Sequence, residues 1–352
     1  MSSPDRPPTA IVTGGAGFIG GALVERLLSS HRVVCIDSLT YAANRPRLDE
    51  HLSLGLDFRQ IDIANAPSLH DAIHETRPDV IFHLAAESHV DRSIDGPAPF
   101  IQTNVVGTMN LLEASLRYWK SLPSPATDFR LICVSTDEVF GSAPPDGAFD
   151  ETTNYDPQSP YSASKAAADH LVRAWNATYG LPTVVTNCSN NFGPFQFPEK
   201  FIPHTIVRAL TGKTIPVYGD GCQVRDWLHV SDHVEGLLLA ASKGMIGSTY
   251  LFGGRNTFTN LEVAERICTI LDDLLPSGRP HRSLLEFVSD RPGHDRRYAI
   301  DPSRAEAELG WTAKTNFRAG LGETVSWYLD NQAWWSQILA RGYPAERLGI
   351  RT

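Results

Sequence analysis

An acidic pair at the end of an apolar run is the first candidate for chemistry in this chain. Residues 131–134 read as a buried strand, and Thr136, Asp137 and Glu138 follow directly after Ser135. Neighbouring carboxylates repel each other when both are ionised, and withdrawing either of them from water is costly. A solvent-exposed loop would explain the pair, and so would a site that uses both acids.

A glycine-rich turn offers a second site. Gly14, Gly17 and Gly20 follow the first apolar run and open a helical stretch, with a spacing that lets backbone N–H groups approach a pyrophosphate. The second apolar run ends at Asp37, 23 residues after Gly14, where a carboxylate can accept both hydroxyls of an adenosine ribose. The same charge would repel a 2′-phosphate, so the pattern predicts NAD rather than NADP.

Tyr161 and Lys165 are spaced to share one face of a helix. A lysine beside a phenol stabilises the phenolate, so we expect Lys165 to lower the pKa of Tyr161 and make it a usable base. Together with the glycine turn and the hydroxyl of Thr136 at a strand end, this pair resembles the extended short-chain dehydrogenases/reductases.

The elements that must position these residues alternate between strand and helix. Predicted strands cover 9–15, 32–37, 56–62, 79–86, 130–136 and 182–189, and predicted helices cover 18–30, 66–76, 98–119 and 161–179. The strands are almost wholly apolar, which favours a parallel sheet covered on both faces, a Rossmann-type doubly wound α/β fold. The third strand ends at Asp62 and Ile63, where an adenine could pack.

The second half has a different composition, rich in proline, glycine and aromatic residues, as in NFGPFQFPEKFIP. We predict an NAD-binding domain at 1–189, to which 225–250 returns, and an interleaved, smaller α+β substrate domain at 190–352. Its predicted helices lie at 201–212 and near 260–275 and 303–310. Near the end, Trp327, Trp334 and Trp335 are expected in helix packing or an interface.

The bulk properties exclude several classes of partner. A formal net charge of −9 disfavours an extended nucleic acid. The five cysteines are scattered without Cys-x-x-Cys spacing, which favours reduced thiols and a cytoplasmic protein. The first residues lack a signal-peptide run, and no stretch approaches the ~20 apolar residues of a membrane span. The 12 histidines show no paired ligand spacing, so no metal is expected.

Further segments extend the likeness over almost the whole chain: DSLTYAANRPRL, HLAAESHVDRSI, STDEVFG, YSASKAAADHLVRAW, NCSNNFGPFQFPEKFIP, YGDGCQVRDWLHVSDH and SDRPGHDRRYAID. With them the chain resembles the dTDP-glucose 4,6-dehydratases. The acidic pair is the most specific feature, because related epimerases lack it and related glucuronate decarboxylases typically carry serine where Asp137 stands. Three departures are Ala43, where the family usually has glycine, Phe140, which replaces a tyrosine, and LFGG, where the family has NIGG.

The resemblance implies that dTDP-glucose is converted to dTDP-4-keto-6-deoxyglucose with NAD as cofactor. Oxidation at C4 acidifies the C5 proton, and loss of water across C5–C6 then needs a base and an acid, which one ionised and one protonated carboxyl can supply. By resemblance, Tyr161 takes the C4 hydroxyl proton, Glu138 takes the C5 proton and Asp137 protonates the departing C6 hydroxyl. Thr136 would hydrogen-bond the C4 oxygen, and Lys165 would hold the nicotinamide ribose.

The family pattern also implies the other contacts to cofactor and substrate. The glycines, Asp37, Asp62 and Ile63 were predicted above from their own positions. The full predicted cofactor set is Gly14, Gly17, Phe18, Ile19, Gly20, Asp37, Ser38, Leu39, Thr40, Asp62, Ile63, Leu84, Ala85, Ala86, Glu87, Ser88, Thr103, Tyr161, Lys165 and Asn191. The predicted substrate set is Ser88, Thr136, Asn190, Lys200, Phe201, Pro216, Val217, Tyr218, Arg225, Asn260, Asp290, Arg291, Pro292, Gly293 and His294. Within it, Arg225 and Arg291 are expected to grip the diphosphate, because guanidinium matches phosphate bidentately.

Several alternatives stay open. A 4,6-dehydratase acting on UDP-glucose or another nucleotide sugar would share every catalytic residue. The acidic pair argues against an epimerase or a decarboxylase. The presence of Tyr161 and Lys165 with both acids argues against a non-enzymatic NAD-sensing protein on the same fold. The use of the product, for rhamnose or for another deoxysugar, is left open. By analogy with the family we expect a homodimer that pairs through 98–119 and 161–179.

Overall fold

The architecture is a central parallel sheet with two small sheets beside it. The computed structural model describes residues 7–123, 128–276 and 278–340. Its strands are β1 Thr9–Thr13, β2 Arg32–Asp37, β3 Asp57–Gln60, β4 Val80–His83, β5 Arg130–Thr136, β6 Thr183–Cys188, β7 Asn190–Phe192, β8 Ile215–Tyr218, β9 Val224–His229, β10 Thr249–Phe252, β11 Thr257–Thr259 and β12 Leu285–Val288.

The helices lie mostly between these strands. They are α1 Phe18–Leu27, α2 Arg45–Ser53, α3 Ala66–Thr76, α4 Val90–Asp95, α5 Ala98–Phe100, α6 Thr108–Ser121, α7 Pro160–Tyr179, α8 Phe201–Leu210, α9 Val230–Lys243, α10 Asn260–Leu274, α11 Phe317–Asp330 and α12 Gln332–Ala340. Ile101–Gly107 and Ala305–Leu309 are π-helical, and Asp137–Phe140 and His281–Leu284 form 3-10 turns.

The central sheet has the strand order β3-β2-β1-β4-β5-β6-β10, and every pair in it is parallel. This order is that of a doubly wound Rossmann fold with one added edge strand, so the predicted fold class is confirmed. Both faces are covered. Apolar side chains of α1 and α9 pack on one face, and those of α3, α6 and α7 pack on the other. Strands β1 and β6 are buried along their whole length for this reason.

The small sheets belong mainly to the second half of the chain. One contains β7, β9 and β11, and the other pairs β8 with β12. A separate apolar core joins α8, α10, α11 and α12. The division at 189/190 stays a prediction. Thr249–Phe252 joins the central sheet, whereas Val224–His229 pairs in the three-stranded sheet. The chain therefore returns to the central sheet with α9 rather than at Arg225.

Some elements differ from those expected. Helix α2 has no apolar periodicity, because its buried face carries Arg47 and His51 beside Leu48. Its start is set instead by Asn44, whose side-chain oxygen accepts from Arg47 N at 3.2 Å. The short helix α4 was not predicted either. The predicted helix 98–119 is interrupted by the π-helical segment Ile101–Gly107, and the one near 303–310 is the π-helical Ala305–Leu309.

Candidate active site

A cleft of about 400 Å³ opens at the carboxyl ends of the central strands. Every residue of the predicted cofactor set lines it, with the exception of Leu39. Leu39 packs against the apolar core instead, and its φ of 57° lies in the left-handed region that side chains rarely adopt. Thr136, Asp137, Glu138, Tyr161 and Lys165 line the same cleft, so the two predicted sites form one continuous cavity.

The glycine turn requires glycine for steric reasons. Gly14 has a φ of 74°, and a Cβ there would lie 2.6 Å from Ala85 N. A Cβ on Gly20 would lie 2.1 Å from Gly14 O. These distances leave no room for a side chain between β1, the turn and α1, which is the close backbone approach that a pyrophosphate-binding turn needs.

Asp37 ends β2 and is held by two backbone amides. Its carboxylate accepts from Ala16 N at 3.1 Å and from Leu39 N at 2.8 Å. Burial raises the pKa of Asp37, and these two hydrogen bonds oppose that rise. A carboxylate has about four lone-pair sites, so the group can still accept from ribose hydroxyls.

The acidic pair is presented by a turn at the end of β5. Thr136 Oγ1 accepts from Glu138 N at 3.3 Å and caps the 3-10 turn Asp137–Phe140. This turn brings two side chains that would diverge in a strand to the same cavity. Asp137 is 1% exposed and its Oδ2 has no hydrogen-bond partner within the described chain, whereas Glu138 is half-buried.

The surroundings of the two acids separate their proton affinities. Burial, then Glu138 and Asp226, raise the pKa of Asp137 well above its usual range. Burial also raises the pKa of Glu138, but the cations Arg291, Lys200 and Arg225 oppose that rise. Asp137 is therefore the member that holds a proton, and Glu138 is the member better able to ionise.

Tyr161 and Lys165 stand at the start of α7, where Ser159 forms a capping box with Ser162. Lys165 Nζ donates to the Val134 carbonyl at 2.9 Å. We expected Lys165 to lower the pKa of Tyr161, and for the protein without cofactor this prediction is wrong. Burial and the charge of Glu138 raise the pKa of Tyr161 well above its usual range. A hydrogen bond with Thr136 opposes the rise. Ionising this phenol therefore needs further positive charge in the cleft.

The two arginines expected at the diphosphate already have protein partners. Arg225 is buried, donates to the carbonyls of Val224 at 2.7 Å and Asp295 at 2.9 Å, and lies 4.1 Å from the ring centre of Tyr298. Arg291 Nη1 pairs with Asp91 Oδ1 at 2.6 Å, while its Nε is buried without a partner in the described chain. Both arginines act on the pKa of Glu138, so they border the acidic pair.

The other predicted substrate residues fall into two groups. Ser88, Thr136, Asn190 and Lys200 line the cleft, and Lys200 Nζ donates to Ser88 O at 2.5 Å. The remaining ones lie outside its lining: Phe201, Pro216, Val217, Tyr218, Arg225, Asn260, Asp290, Arg291, Pro292, Gly293 and His294.

Two acids near the cleft were not predicted from the sequence. Glu199 lines the cleft and accepts from Tyr41 OH at 2.9 Å and Arg92 Nε at 3.1 Å. Asp169 lies one turn after Lys165 on α7 and accepts from Ser135 Oγ at 2.7 Å, so its spacing from Lys165 was a usable signal. Glu199 had no such signal, because its partners come from distant segments.

Comparison with known proteins places this geometry in a family. A family model described as GDP-mannose 4,6 dehydratase matches residues 11–324. Relatives named dTDP-glucose 4,6-dehydratase from Neisseria meningitidis and Xanthomonas campestris are 51% and 53% identical, over 96% and 97% of this chain and 98% and 99% of theirs. The chain belongs to the dTDP-glucose 4,6-dehydratase family.

Solved structures agree with this membership. The dTDP-glucose 4,6-dehydratase of Bacillus anthracis in complex with NAD has a TM-score of 0.84 at 42% identity, and that of Streptomyces venezuelae with NAD and dTDP bound has 0.85 at 42%. Each alignment covers 94% of this chain and 99% of the other. A Thermotoga maritima UDP-glucose 4-epimerase has 0.81 at 27%, over 92% and 99% of the two chains. The predicted family, the enzyme class (an NAD-dependent hydro-lyase) and the NAD cofactor are confirmed.

Proposed function

We propose that this chain converts dTDP-glucose to dTDP-4-keto-6-deoxyglucose, and that the predicted catalytic residues perform the reaction. One observation carries the proposal. Asp137 and Glu138 enter the same cleft as Tyr161, Lys165 and the glycine turn, in surroundings that raise the pKa of Asp137 well above its usual range, whereas three cations oppose the rise in the pKa of Glu138. An elimination that follows an oxidation needs this combination.

The residues along the cleft fit NAD. The glycine turn would take the pyrophosphate, Asp37 the adenosine ribose, Asp62 and Ile63 the adenine, and Lys165 the nicotinamide ribose. Bound NAD would accept a hydride from C4 of the hexose, return one to C6, and add positive charge beside the phenol of Tyr161.

The chain's own groups move the protons. Tyr161, which is hydrogen-bonded to Thr136, accepts the proton of the C4 hydroxyl. Glu138 then removes the C5 proton and gives a proton back to C5 when the hydride arrives at C6; its ionised form is supported by Arg291, Lys200 and Arg225. Asp137 donates its proton to the departing C6 hydroxyl, which leaves as water.

Contacts to the nucleotide sugar are proposed along the predicted substrate set, with the exception of Arg225. The unpartnered Nε of Arg291 supports a phosphate contact there, because a buried N–H without a partner is costly. For Arg225, the two carbonyl partners and the stack on Tyr298 favour a different role: a fixed positive charge beside Glu138.

Incubation with dTDP-glucose and, separately, UDP-glucose tests the function. We expect the alkali-induced absorbance of a 4-keto sugar to appear with dTDP-glucose and much more slowly with UDP-glucose. A C4-epimerised sugar with no 4-keto product would contradict the dehydratase assignment. An equal rate with both substrates would contradict only the choice of nucleotide.

A homodimer and a cytoplasmic location are further proposals. Ile101 and Met109 lie 47% and 38% exposed on the helical stretch 98–121, which supports pairing through this stretch and α7. A monomer mass by light scattering at micromolar concentration would contradict it. All five cysteines are free and four are buried, which fits a reducing compartment. No helix of the described residues is long and apolar enough to cross a membrane.

A further inference from the structure

The tryptophans of α12 are a motif that the proposed chemistry does not use. Trp334 Nε1 donates to Asn44 Oδ1 at 3.1 Å, across 290 residues of sequence. The adjacent Trp335 Nε1 donates to the Tyr328 carbonyl at 2.9 Å, within the same helical pair. These two neighbouring residues of one helix therefore have different partners. Trp335 holds α12 against α11, whereas Trp334 is hydrogen-bonded to Asn44, close to the predicted NAD site.

Asn44 ends the loop that borders the adenosine end of the cleft. Ser38, Thr40, Ala42 and Ala43 of this loop, residues 38–44, line the cavity. Both ends of the loop are tied to Ala16 in the glycine turn: Ala16 N donates to Asp37 Oδ2 at 3.1 Å, and Asn44 N donates to Ala16 O at 2.8 Å. The position of Asn44 therefore sets how the loop closes on the turn that receives the pyrophosphate.

The outer side of the loop is covered by the second half of the chain. Trp334, Gln337 and Ile338 of α12 line a small cavity together with Ala42, Ala43 and Asn44 of the loop and the aromatic residues Phe195 and Phe197. Trp327 supports the ring of Phe195 at a centroid distance of 4.5 Å. No residue of α12 lines the cleft itself among those the structure describes. Trp334 can therefore act on NAD only through neighbours that line the cleft, which are residues of the loop and Phe197.

We propose that Trp334 is a positioning residue for NAD, which holds loop 38–44 against the glycine turn through its hydrogen bond to Asn44. Ordering a loop costs conformational entropy, and a tether that orders it before the cofactor arrives removes part of this cost from binding. The inference rests on NAD binding in the proposed cleft and adds a role for the C-terminal helix.

Trp334→Phe tests the tether with little change in packing, because it keeps an aromatic ring and removes the N–H. Asn44 still caps α2 through Arg47 N, so the local fold should survive. With NAD removed from the purified protein, calorimetry should give a dissociation constant about three- to tenfold higher than wild type, the scale of one part-buried hydrogen bond. Trp335→Phe is the matched control: it should lower the melting temperature and leave NAD affinity unchanged.

Hydrogen–deuterium exchange on the wild type gives a second, independent test. If the tether favours NAD binding, NAD must in turn stabilise the tether. Saturating NAD should therefore slow amide exchange in α12 as well as in the loop. The proposal is overturned if α12 exchange is unchanged, if Trp334→Phe binds NAD as wild type does, or if Trp335→Phe weakens binding equally. A wild type that binds no NAD would instead overturn the proposed function.

Discussion

Replacing Asp137 by Asn separates the chemistry of the two acids. The carboxyl of Asp137 is buried, one of its oxygens has no partner in the described chain, and Glu138 and Asp226 lie close enough to raise its pKa. The neutral amide has the size of the protonated acid, so the fold and NAD binding should survive. What is lost is the proton for the C6 hydroxyl.

The size of the loss follows from the role of one general acid. Such a group contributes about 10²–10⁴-fold, or about 2.7–5.4 kcal/mol of activation free energy. Exchange of the C5 proton with deuterated water should persist, because Glu138 and its three cations are intact. Glu138→Gln is the matched variant. It should still form NADH, but it should exchange the C5 proton about 10²–10⁴-fold more slowly.

The two variants should also differ in stability. With a raised native pKa, Asp137 keeps its proton in the folded state above about pH 4, where the unfolded carboxyl has lost it. Wild-type stability should therefore fall as pH rises from there to the native pKa, by about 1.4 kcal/mol for each pH unit crossed, and Asp137→Asn should lack this fall. Glu138→Gln should remove only a smaller fall of the same sign, because Arg291, Lys200 and Arg225 oppose the rise in the pKa of Glu138.

Three measurements decide the matter: alkali-induced absorbance for the 4-keto product, mass spectrometry for deuterium at C5, and thermal melting across pH. The reasoning is refuted if both variants dehydrate at wild-type rates. It is also refuted if Asp137→Asn loses C5 exchange as completely as Glu138→Gln, since the acid and the base would then not be distinct.

Three further predictions concern the cofactor and the first step. Asp37→Ala should weaken NAD binding by about 1–3 kcal/mol in calorimetry, and an unchanged affinity, or a wild type that prefers NADP, would contradict the assignment. Tyr161→Phe should bind NAD yet show neither NADH absorbance nor C5 exchange with substrate, and accumulation of NADH would exclude Tyr161 as the base for the C4 hydroxyl. Gly20→Ala should abolish measurable NAD binding, because its Cβ would lie 2.1 Å from Gly14 O. Gly322→Ala in α11, where nothing lies within 4 Å, should leave affinity unchanged and would reveal any general effect of the added methyl.

Much of the fold could be predicted because its signals are local. A parallel sheet buried on both faces needs apolar strands, and these stand out between amphipathic helices. Helix α2 was not predicted, because Arg47 and His51 occupy its buried face and break the apolar pattern. Their burial depends on neighbours such as Glu25, which pairs with Arg47 at 2.6 Å, and no periodicity in the segment itself records that contact.

The sequence alone determined the parts of the candidate site that lie within one element or at its end. The spacing of Gly14, Gly17 and Gly20 around one turn, the carboxylate at the end of β2, and Tyr161 and Lys165 one helical turn apart are set by backbone geometry. A residue count is enough to read them. The resemblance to the family followed from these residues and the acidic pair, together with further segments along almost the whole chain.

Only the tertiary structure decided in which direction the pKa values of these groups are shifted. Which acid keeps its proton depends on how deeply each is buried and on charges brought by Asp226, Arg225 and Arg291, which lie far along the chain. Tertiary contacts also account for three further features. These are the raised pKa of Tyr161, the ion pair of Arg291 with Asp91 and the hydrogen bond of Trp334 to Asn44. Burial and Coulomb interactions depend on distance in space, and spacing along the chain carries no record of those distances.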